Sequence, residues 1–298
     1  MPRHCFLLIL AVGCLTCLTG VDCLPVNPDN GDALPDNGDD APSKPLVVNV
    51  QIDAELEDIS GLARVTNELL ARDITATIYV TADYANDHAM KIRELFQSGF
   101  EIALHGKTSG EQLATMTYEE QLTLLTNAKQ AVEGCQPCGT YVPVSGFRPQ
   151  YFSHNEDTFA ILDALGFTYN SGFKAGMIPL EGYENAMVPF AIEGHDFYGV
   201  PISVVDGTYL CDMACLMAEE MTGEQFGELL QAGVEQAGER DEPLVVLLHG
   251  WLVGDEEKYG YWQPFIDMLD TLTESGSTFV TTQELVELYQ GEGPAEGQ

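Results

Sequence analysis

Four apolar runs in this chain each end on or beside a polar residue, and that pattern restricts the fold more than any other feature of the sequence. LVVNVQID closes on Asp53, FEIALH on His105 and PLVVLLH on His249, while VSGFRP carries Arg148. A short apolar run without polar alternation reads as a strand buried on both faces, the habit of parallel sheets. Helical patterns lie between these runs. Residues 59–72 put Ile59, Leu62, Val65, Leu69 and Leu70 on one side, and residues 84–97 do the same with Ala85, Ala89, Ile92, Leu95 and Phe96. Thr117 with Glu120 and Thr222 with Gln225 have capping-box spacing, and Asn155 reads as an N-cap. TATIYVT, FTYNS, YGVPISVV and STFVT are further strand candidates, with helices expected near 262–273 and at the end of the chain. Such alternation implies a mostly parallel α/β sheet, open or closed into a barrel, whose site gathers at the carboxyl ends of its strands.

The N-terminal segment has a different character. Arg3 and His4 precede CFLLILAVGCLTCL, which is too short for a usual membrane span and reads as an export signal over residues 1–22. Residues 23–45 are rich in Asp, Asn, Gly and Pro and read as a disordered acidic spacer, and residues 291–298 as a flexible tail. That leaves 46–290 as one domain, long enough for a real core. AVGC, ending at Cys14, resembles a lipoprotein cleavage box with Ala11 where Leu is usual. Simple secretion is favoured over lipidation, so a membrane is expected as partner only through a lipid anchor. The chain carries 47 acidic and 12 basic residues, a net charge of −35 that excludes nucleic acid as a partner and says nothing about chemistry. Oligomeric state is not written in the sequence.

Outside the leader the cysteines fall in GCQPCG and LCDMACL. Export favours structural disulfides, with a redox pair at Cys135 and Cys138 or a four-cysteine zinc site as rivals.

QIDAE, LHGKTS, FRPQY and LLHGW, taken in this order, resemble the motifs of the polysaccharide deacetylases, carbohydrate esterase family 4, over residues 46–285. The resemblance implies a distorted (β/α) barrel of about seven parallel strands that removes N-acetyl groups from a glycan. It implies Asp53 as general base, His249 as general acid, and Arg148 pairing with Asp53 to hold it in place. It implies the backbone N–H of Tyr151 at the oxyanion, Leu247 lining the acetyl-methyl pocket, and a divalent metal, zinc foremost, held by Glu55 and His105. Tyr151 and Trp251 follow site strands and could stack on a sugar ring or pack at the rim. Residues 182–199 read as a lid or substrate wall. His154 reads as a water-exposed residue near a helix start, and His88 and His195 as surface positions.

The sequence departs from the family pattern at several points. Ser109 stands where the second imidazole ligand belongs, Ala54 follows Asp53 directly, Gln150 replaces a usual Pro, and Asn170 occupies a position where an acid is common. A hydroxyl is a poor zinc ligand. Three readings follow: a metal held by Glu55, His105 and a substitute such as Glu111 or water; hydrolysis by Asp53 and His249 without a tight metal; or a cleft that only binds glycan.

Overall fold

The computed structural model describes residues 44–56, 59–134 and 141–290. The export segment, the acidic spacer, the leader cysteines, Cys135, Cys138 and the 291–298 tail lie outside the described residues. The strands are β1 (Val47–Ala54), β2 (Thr77–Val80), β3 (Glu101–Leu104), β4 (Gly146–Phe147), β5 (Tyr169–Lys174), β6 (Phe190–Ala191), β7 (Tyr198–Ile202), β8 (Val204–Val205), β9 (Thr208–Tyr209), β10 (Leu244–His249) and β11 (Thr278–Phe279). The order across the sheet is β10-β1-β2-β3-β4-β5-β7-β6. The run from β10 to β7 is parallel throughout and supplies the seven-stranded, barrel-like sheet that the motifs imply. β6 adds an antiparallel edge, and β11 pairs with the start of β1. The two ends of the sheet meet through backbone bonds outside regular ladders: Ser203 N–H to Val245 O at 3.1 Å and Leu247 N–H to Leu210 O at 2.9 Å.

β1 and β10 are buried along nearly their whole length, which is why they carry continuous apolar runs. The expected caps are present: Thr117 with Glu120, Asn155 with Thr158 and Thr222 with Gln225 each close a capping box. The helix expected over 84–97 is two helices, Ala82–Asp87 and Ala89–Gln97, joined at His88 with φ −117°. Asn86, Asp87 and His88 are weak helix formers in succession, so the break falls there. Residues 182–199 form an edge ribbon. β6 within this segment pairs with β7, and His195 bonds to Asp163 at 2.7 Å, tying the segment to the helix Glu156–Ala164.

One close approach bears directly on the site. Immediately after His249 the chain enters the short helix Gly250–Val253, which lies against the helix Ile59–Ala71. A Cβ added at Gly61 would stand 2.3 Å from the Gly250 carbonyl oxygen, so only glycine lets the two backbones meet. Gly61→Ala is expected to lower stability by about 1–3 kcal/mol through overpacking. Gly238→Ala, whose nearest neighbour would be 3.9 Å away inside the helix Gly223–Arg240, is expected to raise it by about 0.5–1 kcal/mol. Denaturant midpoints check both signs; equal shifts would contradict the close-approach argument.

Candidate active site

Register brings the polar strand ends together. Asp53 is the direct partner of His249 on β10 and of Tyr79 on β2. His105 donates its backbone N–H to Val80 at 2.8 Å, and Arg148 donates its own to Leu104 at 2.9 Å. The four residues expected at strand ends therefore sit side by side, and all are buried.

Asp53 is the centre of the group. Its Oδ1 lies 2.9 Å from Arg148 Nε, close enough for an ion pair but off the angle of a full hydrogen bond. Its Oδ2 lies 3.5 Å from His105 Nε2 and 3.9 Å from His249 Nε2. One carboxylate thus faces a guanidinium and two imidazoles. Arg148 is fixed on its other sides by Gln51 Oε1 at 2.6 Å, the Ser171 carbonyl at 3.3 Å and the Tyr79 ring at 3.9 Å. The His105 Nδ1 meets the Arg148 carbonyl at 2.9 Å, which turns its Nε2 toward Asp53.

Asp212 joins the group without having stood out in the sequence. It accepts the backbone N–H of His249 on Oδ2 and meets His249 Nδ1 through Oδ1, both at 2.7 Å. Its only sequence signal is an acid opening the short helix Asp212–Met217, which reads equally as a helix-start charge. Burial pulls the His249 pKa down. The charge and hydrogen bond of Asp212, with Asp53 and Glu55 adding, outweigh burial and hold it at about 9. The folded value exceeds the ordinary 6.5. The stability contributed by this pair is therefore fully present below pH 6.5 and is lost as pH rises through about 9.

Gln150 has a larger part than a mild departure. Buried below the loop after β3, it donates to the carbonyls of His105 at 2.9 Å and Thr108 at 2.6 Å and accepts from the N–H groups of Gly110 and Glu111. Proline there would lose all four bonds. Glu111, weighed above as a substitute ligand, accepts from the N–H groups of Lys107 and Thr108 instead and closes the same loop.

The expected metal ligands do not form a set. Ser109 donates its hydroxyl to Glu55 at 3.1 Å, while His105 faces Asp53, and no third ligand among the described residues joins Glu55 and His105. The one group of three ligating side chains that converges among the described residues is Cys211, Asp212 and His249, with ligand atoms within 4.8 Å. Both Asp212 oxygens are engaged by His249, and burial pushes the Cys211 thiol well up, away from the thiolate a metal needs. Cys211 and Cys215 are buried thiols, so the disulfide expectation does not hold for them.

Leu247 is buried in the barrel interior beside Tyr79 and Cys211. Tyr151 follows Arg148 and Pro149 with its side chain exposed, in the left-handed region at φ 55°, and Phe152 follows at φ 54°. Consecutive non-glycine residues there are strained, a feature held in place by the surrounding turn. Trp251 is half-buried, with its ring 6.1 Å from His249 and 6.0 Å from Tyr259. His154 corrects its expected exposure: it packs on Phe159 and Phe173, meets the Asn170 amide at 2.9 Å, and burial lowers its pKa to about 4.

The Asp212–His249 pair gives a direct test. The His249 imidazole is expected to titrate near pH 9 by NMR, and Asp212→Asn to bring the midpoint down by removing the charge that raises it. An unchanged midpoint in the variant would contradict this origin.

A search of curated protein sequences finds no match. The family model for polysaccharide deacetylases matches residues 56–170, a span that holds His105 and Arg148. Among solved structures, the chain is similar to an allantoinase at 16% identity and TM-score 0.66, covering 90% of this chain and 99% of that one. It is also similar to a family 4 acetyl xylan esterase from Clostridium thermocellum in complex with a cobalt ion, at 21% identity and TM-score 0.54, covering 82% and 92%. A family 4 pseudoenzyme from Bacillus anthracis aligns at 15% identity and TM-score 0.52, covering 82% and 66%. At such identities the structural likenesses speak for the fold, and the family match marks residues 56–170 as similar to the polysaccharide deacetylases.

Proposed function

We propose that the protein is an exported, deacetylase-like hydrolase that cleaves a non-peptide carbon–nitrogen bond, removing N-acetyl groups from an envelope or extracellular glycan. The observation that carries this reading is Asp53, buried against Arg148 and two imidazoles, one of them oriented by Asp212. Asp53 takes a proton from water as the water oxygen attacks the amide carbonyl. The Tyr151 N–H supports the oxyanion, and Leu247 lines the acetyl pocket. His249, carrying its proton at neutral pH, gives that proton to the departing nitrogen, so that acetate and an amine leave together. An amide nitrogen leaves poorly unless protonated, which is why an acid must stand across from the base. No step is routed through a metal, because Glu55, His105 and Ser109 offer no set to hold one. Export rests on the leader and the acidic spacer, with lipid anchoring at Cys14 as the lesser alternative.

A glycan-binding role without turnover is the second reading, favoured by Ser109 in place of the family's second imidazole. Acetate release from acetylated chitooligosaccharides separates the two. Asp53→Asn and His249→Ala are each expected to slow release by about 10²–10⁴-fold. Release that persists unchanged in both variants would overturn the acid–base assignment, and binding without any release would favour the second reading.

A further inference from the structure

The chain carries 47 acidic and 12 basic residues, and its buried or half-buried cations are mostly held by carboxylates. Arg64, Arg72, Lys91, Lys129 and Arg148 each hold a carboxylate at 2.6–3.0 Å. The ammonium of Lys174, at the carboxyl end of β5, makes no ion pair or hydrogen bond with any of the described residues. Its half-buried ammonium instead lies over two aromatic rings, 4.1 Å from Tyr209 and 5.3 Å from Phe152.

Its position is a product of backbone irregularity. The β5–β7 register shifts between Asn170 and Phe173. Strict alternation would send Ser171 and Lys174 to opposite faces. The bulge re-phases the strand: Ser171 bonds inward to Gln51 at 2.9 Å, and Lys174 still reaches Tyr209 and Phe152, which pack on the barrel-interior cluster. Gly172 permits the bulge, since a Cβ there would stand 2.6 Å from the Pro149 ring. Both aromatic partners belong to the site segments: Phe152 follows Arg148 by four residues, and Tyr209 precedes Asp212 by three. The exposed Lys107 follows His105 by two, and its ammonium likewise has no carboxylate within ion-pair distance among the described residues.

We infer that Lys174 is a specificity-determining residue that selects substrates bearing a carboxylate beside the scissile acetamido group. Aromatic walls partly desolvate an ammonium without neutralising it, so an incoming anion gains more there than at an open surface. One ammonium matches one carboxylate, so a sugar unit with a single carboxylate, as a lactyl ether or a uronate, is the chemistry that fits. This inference rests on the hydrolytic reading and narrows its substrate from neutral acetylated glycan to an acidic one.

The test is calorimetric binding, with acetate release followed separately. The probes are N-acetylmuramic acid and a disaccharide of glucuronate and N-acetylglucosamine, each compared with its uncharged methyl ester. The full protein is expected to bind at least one acid about tenfold more tightly than its ester, as a charged hydrogen bond would give. Lys174→Gln should erase that preference, Lys174→Arg should keep it and Lys174→Glu should reverse it. The acid that is preferred identifies the lactyl or uronate source. Equal binding of acid and ester, or a preference that survives Lys174→Gln in protein with an unchanged melting curve, overturns the inference even where acetate is released. A preference that depends on Lys174 with no acetate released supports the inference and counts against the hydrolytic reading.

Discussion

The site depends on the pairing of Arg148 with Asp53. Both groups are buried, and withdrawing two charges from water costs more than their attraction returns unless other polar groups complete their shells. The barrel interior supplies those groups. Gln51 and Ser171 accept from the guanidinium, and the Tyr79 ring lies beneath it. Gln51 in turn bonds to Asn49 and Thr282, Thr282 accepts from Tyr79, and Thr77 leads on to Glu101 and Tyr169. A polar column therefore runs down the barrel from the site, reaching the start of the terminal helix Thr282–Tyr289. Polar networks buried this deeply hold geometry only when nearly every member is satisfied, which explains a fold built with so many interior hydroxyls and amides.

The strand ends could be read from the sequence because burial on both faces leaves an unmistakable apolar run, and a polar residue closing such a run has few reasons to be there. Asp53, His105 and His249 came from that signal alone, and Arg148 from its place beside a fourth run. Three features were illegible for identifiable reasons. Asp212 sits at a helix start, where acids are common for electrostatic reasons unrelated to chemistry. Gln150 acts through four bonds to a loop that only the folded chain brings over it. Lys174 lies over Tyr209 and Phe152 beyond a register shift in β5, and such a bulge inverts the alternation on which any strand reading relies. His154 was misjudged because its partners, Phe173 and Asn170, come from a different strand.

The residues expected to hold a metal are engaged elsewhere, while those proposed as base and acid lie together. Ser109 and Glu55 bond to each other, and Glu111 is engaged by its own loop, so the positions that would surround a cation are already satisfied internally. Asp53, Arg148, His249 and Asp212 remain in contact, each with the partner that its chemistry requires. In the proposed function, hydrolysis is therefore the work of a carboxylate and a charged imidazole.

The central claim is tested most directly by the rate of acetate release in protein whose divalent metal content has been measured and stripped. The account predicts a rate that chelation leaves unchanged and that added zinc does not raise. A rate that vanishes on chelation and returns with stoichiometric zinc would contradict it, and would mean that Glu55 and His105 hold a metal after all.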